Sequence, residues 1–267
     1  MSRKHRLDLH LLKKGFATSR QKAQQLIRAG KVRDLNGKLL DKPGQEVSEE
    51  LELRIKKSPR FVSRGGEKLI AGLEQFSLPV NEKVCLDAGI STGGFTDCLL
   101  QHGASKVYGI DVGYGQTAWN LRNDPRLVLF ERTNIRNLTP EKLYGPTDPW
   151  PTFAVADLSF ISLKLVLPAI RTLLDPNNAE ALLLVKPQFE VGRERVGKGG
   201  VVREKAGHID ALKSVIKAAG VMKWAPKGLI PSPITGPAGN HEYLLWLGTN
   251  KISASLNLEQ IVKNTLT

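Results

Sequence analysis

Four charged residues that lie far apart in the sequence are of the types that could move a proton at a hydroxyl group. Asp157 and Lys186 each end an apolar run, and Glu242 precedes another. A lysine taken out of water is costly unless carboxylates pair with it, and such a lysine can act as a general base. Lys68, on a predicted helix further upstream, could complete the set. These four residues are the candidate catalytic group.

Two members of this group have simpler interpretations. Lys68 could be an ordinary exposed helix lysine, an interpretation that would prevail if the other three residues did not converge. Asp157 could serve as a helix N-cap, although Ser159 and Ser162 compete for that position.

A second, glycine-rich set is suited to binding a small ligand. The segment Asp87–Phe95 follows a predicted strand and opens a helix, and its glycines let the backbone pass close to a ligand. The segment lacks the G-x-G-x-x-G pattern of dinucleotide-binding sites. A carboxylate followed by a glycine turn instead suits a positively charged cofactor that bears an amino-acid group. Asp111 ends the next strand, where an acid would accept hydrogen bonds from both ribose hydroxyls of an adenosine. The candidate cofactor contacts are Asp87, Gly89, Ser91, Thr92, Gly93, Gly94, Phe95, Asp111, Asn134 and Asp157.

Asn134 has two interpretations. It follows the third predicted strand and could contact the adenine edge, or it could be a turn residue.

The elements that must position these residues alternate between strand and helix. We predict strands at Val84–Leu86, Lys106–Ile110, Leu127–Phe130, Phe153–Ala156, Ala181–Val185, Lys227–Ile230 and Tyr243–Leu247. We predict helices at Gly66–Gln75, Gly94–His102, Gln116–Leu121, Leu163–Leu174 and His208–Ala219. Such alternation indicates an α/β fold with a mostly parallel, doubly wound sheet. The loop before the last strand is too short for a crossover helix, so that strand should be antiparallel, as in Rossmann-type methyltransferase sheets.

An antiparallel last strand has a consequence for the candidate catalytic group. Its start lies at the sheet edge where the parallel strands end. Asp157, Lys186 and Glu242 should therefore converge at that edge.

The first 60 residues form a separate basic segment. They contain 16 Lys plus Arg and 7 Asp plus Glu, a net charge of +9 out of +13 for all 267 residues. Leu7 begins a short helix, Thr18 or Ser19 caps a second helix over Arg20–Ala29, and Gly30 ends it. An Asn36-Gly37 turn and a final strand through Leu53 and Ile55 follow, so we predict a small α+β domain. A concentration of positive charge favours a nucleic-acid partner, although it could also be a solvated surface.

Basic residues in three places are candidates for RNA contact: Arg20, Lys22, Arg28, Lys31, Arg33, Arg64, Arg193, Arg195 and Lys198. The last three lie in the long segment Gln188–Arg203, which we interpret as an RNA-contacting lid, with a disordered surface loop as the alternative.

Other features of the sequence limit which class of protein it can encode. The two cysteines, Cys85 and Cys98, predict buried free thiols, and no metal site is expected. No signal peptide or membrane span is apparent, so we expect a cytoplasmic protein with no membrane partner. The expected divisions are an RNA-binding domain (1–60), a linker with a leading helix (61–80), a catalytic domain (81–250) and a C-terminal tail helix (251–267).

Taken together, these motifs resemble the hemolysin A (TlyA) family of rRNA methyltransferases. Ser19–Val32 is similar to the RNA-binding domain named after ribosomal protein S4, and the remainder is similar to FtsJ-type ribose methyltransferases. The resemblance implies S-adenosylmethionine as cofactor and a catalytic tetrad of Lys68, Asp157, Lys186 and Glu242. It also implies methyl transfer to a ribose 2′-hydroxyl, of cytidine, with ribosomal RNA or ribosomal subunits as partner. Ile90 stands where this family has a smaller residue.

Within that mechanism Lys186 is the predicted base, while Asp157 and Glu242 orient the lysines. The alternatives are a non-catalytic ribosome assembly factor and, less favoured, a cytolysin. A base methyltransferase would need an aromatic-proline motif or a cysteine nucleophile. The oligomeric state and the target nucleotide stay open.

Overall fold

The computed structural model describes residues 3–56, 59–250 and 254–267. The chain divides into two compact units, Met1–Pro59 and Arg60–Thr267. In the described ranges no helix combines the length and the apolar character needed to cross a membrane.

The first unit is a small α+β fold with its own apolar core. Its elements in chain order are β1 (Lys4–Arg6), α1 (Leu7–Lys13), α2 (Arg20–Arg28), β2 (Val32–Asp34), β3 (Glu46–Ser48) and β4 (Leu53–Ile55). Helix α2 begins where predicted, because the Ser19 side chain accepts a hydrogen bond from Lys22 N, and Gly30 follows it with a φ of +66°. Leu7, Leu11 and Ile27 are fully buried between the helices and the strands.

Strands β1 and β3 of this unit were not predicted. They pair with each other in an antiparallel arrangement, as β2 does with β4. Each has three residues, and Lys4-His5-Arg6 has no apolar alternation that would mark it as a strand. Pairing with β3 is therefore a tertiary effect that local sequence does not encode.

The second unit is a seven-stranded sheet with helices on both faces. Its strands are β5 (Val84–Ala88), β6 (Lys106–Ile110), β7 (Leu127–Phe130), β8 (Phe153–Ala156), β9 (Glu180–Val185), β10 (Ala225–Pro231) and β11 (Tyr243–Gly248). The strand order is β10-β11-β9-β8-β5-β6-β7, and β11 alone runs antiparallel to its neighbours. The predicted mostly parallel sheet with an antiparallel last strand is confirmed.

The helices of this unit are α3 (Gly65–Gln75), α4 (Gly94–Gln101), α5 (Trp119–Arg122), α6 (Pro140–Leu143), α7 (Leu167–Thr172), α8 (Pro187–Glu190), α9 (Lys205–Val221) and α10 (Leu258–Thr265). Helices α3 and α4 pack on one face of the sheet through Leu69 and Leu99. Helices α7, α9 and α10 pack on the other through Ile170, Leu212 and Val262. Adjacent residues of a strand face opposite layers, so both faces of the sheet are apolar.

Two predicted helices differ from the structure. The helix expected over Leu163–Leu174 is a 3₁₀ turn at Leu163–Leu165 followed by α7. Pro168 lies in the first turn of α7; it has no N–H to continue a helix from upstream, so the helix restarts there. The helix expected over Gln116–Leu121 is reduced to the single turn of α5.

Candidate active site

A cavity of about 920 Å³ opens at the carboxyl ends of the parallel strands. Its wall is built from the glycine turn after β5, the ends of β6, β8 and β9, and the start of β11. In a sheet of this type, ligands bind at this edge, where the strand order reverses next to β5. The cavity is therefore the candidate active site of the second unit.

The four candidate catalytic residues meet in this cavity as a chain of alternating charges. Lys68 Nζ lies 2.6 Å from Glu242 Oε2 and 3.9 Å from Asp157 Oδ2. Asp157 Oδ1 lies 2.6 Å from Lys186 Nζ. Each residue alternates in sign with its neighbour, so the group carries no net formal charge. The predicted convergence is found in the structure, while the catalytic role of these residues stays a prediction.

Backbone register explains why residues so distant in sequence meet. Tyr243 pairs with Val185 across the antiparallel β9–β11 ladder, so Glu242 and Lys186 lie side by side just beyond it. Asp157 follows the adjacent strand β8 in the same way. Lys68 reaches the group from α3, which packs against the sheet.

Burial makes the alternation of charge necessary. The side chains of Lys68 and Lys186 are each 9% exposed and that of Glu242 is 2% exposed, whereas Asp157 is 23% exposed. A buried charge is tolerated when it is paired, and removing one partner of a buried pair costs about 3–5 kcal/mol. Asp157 is thus the member that opens most to the cavity.

The other end of the cavity is formed by the glycine turn. Gly89 has a φ of +87°, and a Cβ there would lie 2.8 Å from Leu158 Cδ2. Asp111 holds the turn closed: Ser91 N donates to its Oδ2 at 2.7 Å, and Gly113 N donates to its Oδ1 at 2.6 Å. Because each carboxylate oxygen has a further lone pair, Asp111 can still accept hydrogen bonds from a ligand in the cavity.

The large residue in this turn has a compensating neighbour. Ile90 is buried, and its Cδ1 lies 2.6 Å from the place that a Cβ of Gly109 would occupy. Gly109 on β6 therefore leaves room for the Ile90 side chain, and the turn keeps its path.

The cavity wall includes most, but not all, of the candidate cofactor contacts. Those in the wall are Gly89, Ser91, Thr92, Gly94, Phe95, Asp111, Asn134 and Asp157. Asp87 and Gly93 lie outside the cavity wall. Direct contact of these two residues with a cofactor stays a prediction that the geometry does not support.

Asp87 is enclosed behind the turn. Thr96 Oγ1 donates to its Oδ2 at 2.7 Å, while its Oδ1 has no hydrogen-bond partner among the described residues. Burial raises the pKa of Asp87 to about 7, against the lowering effect of the Thr96 hydrogen bond. The residue supports the first turn of α4 from within the protein.

Asn134 fits both of its interpretations. Its Oδ1 accepts a hydrogen bond from Arg136 N at 3.1 Å and so caps the 3₁₀ turn Ile135–Asn137. The residue also lines the cavity, with its Nδ2 donors outside that capping bond.

The basic residues of the second unit lie in two different settings. Arg64 lines the cavity, and its guanidinium donates to the Thr235 carbonyl oxygen at 2.9 Å. Arg193, Arg195 and Lys198 do not line it, and Arg195 forms an ion pair with Asp210 at 2.7 Å.

The segment expected to be a lid contains short regular elements. It contains α8, a 3₁₀ turn at Arg193–Arg195 and a bridge between Gly197 and Val201. The Asn240 side chain stabilises this segment with two hydrogen bonds: it accepts one from Val202 N at 3.1 Å and donates one to Gly200 O at 2.8 Å. A role as a lid stays a prediction.

The basic residues of the first unit are arranged around α2. Arg20, Lys22 and Arg28 are exposed on that helix, and Lys31 and Arg33 follow it. Arg20 Nε donates to the buried carboxylate of Asp8 at 3.1 Å. Contact of these residues with RNA stays a prediction.

Several wall residues were missed by the sequence reasoning: Ser63, Gln116, Thr133, Ser159, Phe160 and Thr235. Ser63 and Ser159 adjoin motifs that had been recognised, and proximity to those motifs was the available signal. Within the ranges that the structure describes, no group of three or more His, Cys, Asp or Glu side chains could hold a metal ion.

Comparison with known proteins extends these findings. Residues 61–249 match the FtsJ-like methyltransferase family, and residues 5–53 match the S4 domain. YqxC of Bacillus subtilis is 48% identical, with 98% of this chain and 93% of the relative covered. The 16S/23S rRNA (cytidine-2′-O)-methyltransferase TlyA of Mycobacterium tuberculosis is 48% identical, with 93% and 91% covered. A solved structure from Streptococcus thermophilus, of a protein that bears the name hemolysin, has a TM-score of 0.73 at 39% identity, covering 99% of this chain and 96% of that one.

The strand order, the glycine turn and these matches together define a Rossmann-type methyltransferase that uses S-adenosylmethionine and carries an N-terminal S4 domain. The chain belongs to the FtsJ-like methyltransferases and, within them, to the hemolysin A (TlyA) family. The fold class and the family resemblance predicted from the sequence are confirmed.

Proposed function

We propose that this methyltransferase modifies the 2′-hydroxyl of a ribose in ribosomal RNA, with cytidine as the target nucleoside. The observation that carries the proposal is the buried chain Glu242–Lys68–Asp157–Lys186, in which amines and carboxylates share one cavity. The activity for which the Mycobacterium tuberculosis relative is named, rRNA (cytidine-2′-O)-methyltransferase, supports the same substrate.

The residues present fit S-adenosylmethionine. The cavity of about 920 Å³ lies within the size range of small-molecule and cofactor sites. We assign the ribose hydroxyls to Asp111, the adenine edge to the Nδ2 group of Asn134, and the amino-acid end to the turn Gly89–Phe95. When bound, the cofactor supplies a methyl group on a positively charged sulfur.

Lys186 is the residue that we assign to the proton. A ribose hydroxyl attacks well only as its proton leaves, and a general base must lie within hydrogen-bond reach of that proton. Lys186 Nζ lines the cavity, and its neighbour Asp157 holds it at 2.6 Å. In its uncharged form the amine can take the proton from the 2′-oxygen and later release it to water.

Lys68, Asp157 and Glu242 then orient this base. Asp157 lies between the two amines and fixes the direction of Lys186, and Glu242 compensates the charge of Lys68. Holding a reacting group in one geometry is a large part of enzymatic rate enhancement, because the entropy of alignment is lost before the reaction.

The S4 unit supplies the second half of the proposal. Its exposed basic residues on and after α2 would contact phosphates, which gives affinity without base specificity. With ribosomal RNA as the partner, we expect the activity in the cytoplasm, where ribosomes are assembled.

Methyl transfer to rRNA tests the proposal directly. Ribosomal subunits from a strain that lacks the gene are incubated with the full chain and tritiated cofactor, and the label is mapped to a nucleoside. We expect 2′-O-methylcytidine from the wild-type chain and none from Lys186→Ala, while the exposed α9 variant Lys213→Ala keeps full activity. Transfer to a base would contradict the proposal, and binding without transfer would favour an assembly factor.

A further inference from the structure

Lys186 has a hydrogen-bond partner in addition to its ion pair with Asp157. Its Nζ donates to Ser159 Oγ at 3.0 Å. Lys186 is buried, whereas Ser159 is exposed and lines the same cavity. The candidate base is thus held from two directions. The serine belongs neither to the four charged residues nor to the candidate cofactor contacts, so its role is still unassigned.

The loop that carries Ser159 is fixed at both ends. Asp157 is held by the two lysines, as described above. At the far end, Ser162 Oγ and Leu163 N donate to the buried carboxylate of Glu190 at 2.6 and 2.7 Å. The serine is therefore part of an anchored loop.

The backbone beside Ser159 is also strained. Phe160 has a φ of +64°, in the left-handed region that a residue with a Cβ rarely adopts. Such strain persists when the surrounding structure determines it, and it concentrates at functional sites. The position of the Ser159 hydroxyl is accordingly set by the fold.

We propose that Ser159 is a positioning residue that aims the amine of Lys186 at the substrate hydroxyl. An uncharged lysine amine has two N–H bonds and one lone pair. If the two N–H groups point at the Asp157 carboxylate, 2.6 Å away, and at Ser159 Oγ, 3.0 Å away, the lone pair is confined to the remaining tetrahedral direction. Without the serine the amine could rotate about its Cε–Nζ bond, and the lone pair would lose its direction. This inference rests on the proposed methyl transfer to ribose.

The Phe189 ring completes the surroundings of the amine. Its centroid lies 5.9 Å from Lys186 Nζ, at the outer limit of a cation–π contact, so the ring is a weaker and less directional partner than the serine oxygen. Ser159 is therefore a neutral acceptor that fixes direction without adding a charge to the group.

The test compares Ser159→Ala, Ser159→Thr and a control serine in the full chain. Single-turnover methylation of ribosomal subunits is measured from pH 6 to pH 10, with cofactor and RNA affinities measured separately. Ser105→Ala is the matched control, because Ser105 is exposed and its hydroxyl is bonded to Glu82 O at 2.9 Å, beside β6 at the opposite edge of the sheet.

We expect Ser159→Ala to lower the rate at saturation about 10- to 100-fold, the range expected when a reacting group is misplaced. Both affinities should stay within about twofold of wild type, and Ser159→Thr should restore most of the rate because it keeps the hydroxyl. The loss should be present across the whole pH range, because the serine supplies direction and carries no charge.

Three results would overturn the inference: a wild-type rate for Ser159→Ala, a loss explained by weaker cofactor or RNA binding, or no recovery in Ser159→Thr. An inactive wild-type chain would instead overturn the proposed function, and this inference with it. The control variant separates both outcomes from a general effect of removing a surface hydroxyl.

Discussion

Lys68 Nζ donates to Glu242 Oε2 at 2.6 Å, although 174 positions separate the two residues in the sequence. Both side chains are nearly inaccessible to water. This contact ties α3 to the start of β11, so one ion pair contributes to the site and to the fold at once. Its removal should therefore be visible in stability as well as in activity.

Glu242→Gln should destabilise the chain by about 3–5 kcal/mol, because Lys68 keeps its charge and loses its compensating carboxylate. For a unit of this size that corresponds to a fall in Tm of roughly 2–4 °C per kcal/mol. Thermal unfolding followed by circular dichroism measures the shift. The double variant Lys68→Met/Glu242→Gln should recover much of the loss, and independent, additive losses would show that the two groups are not coupled.

Asp111→Ala should weaken S-adenosylmethionine binding by at least about tenfold, or about 1.4 kcal/mol, while the second unit stays folded. The carboxylate accepts from Ser91 N and Gly113 N and also faces the cavity, so its loss removes both the ligand contact and the closure of the turn. Titration calorimetry measures the affinity. Unchanged affinity would remove Asp111 from the site.

Asp87 should make stability depend on pH in the direction opposite to that of most carboxylates. Burial raises its pKa to about 7, whereas an unfolded chain has an aspartate pKa of about 3.9. Between these values the folded state binds more protons than the unfolded state, so this group lowers stability as pH rises from about 4 to 7.

Urea unfolding of wild type and Asp87→Asn at pH 5 and pH 7.5 tests this sign. The wild type should lose stability relative to the variant as the pH rises, because asparagine cannot ionise. An equal difference at the two pH values would mean that Asp87 is charged in the folded protein throughout.

Much of this architecture follows from residue patterns. The strands β6, β7 and β8 have the bounds that apolar runs predict, and the antiparallel β11 follows from the short loop before it. Because strand ends share one sheet edge, the meeting of Asp157, Lys186 and Glu242 could also be predicted.

Other features could not be predicted, because they depend on side-chain directions and on interactions between distant segments. The hydrogen bond from Lys186 to Ser159 needs the left-handed turn at Phe160, which no local preference indicates. Likewise, the accommodation of Ile90 depends on Gly109 in the adjacent strand. Enclosure of Asp87 is a further case, because an acid at a strand end can face either the cavity or the interior.

The last prediction concerns the division of labour between the two units. The first 60 residues carry +9 of the net charge of +13, and the four candidate catalytic residues lie beyond them. A truncated chain that begins at Arg60 should fold and bind cofactor, because every strand of the seven-stranded sheet and the whole cavity wall belong to the second unit.

RNA binding by the truncated chain should weaken and become less sensitive to salt. Log affinity falls as log salt rises. The magnitude of that negative slope should decrease by roughly 0.9, the value for B-DNA, for each phosphate that the truncated chain no longer neutralises. Fluorescence binding to rRNA fragments across a salt series compares the two chains. Methylation should also lose selectivity, because an RNA held only at the cavity mouth can shift along it. If both chains bind with equal affinity and equal slope, the basic first unit is a solvated surface, and RNA recognition resides in the second unit alone.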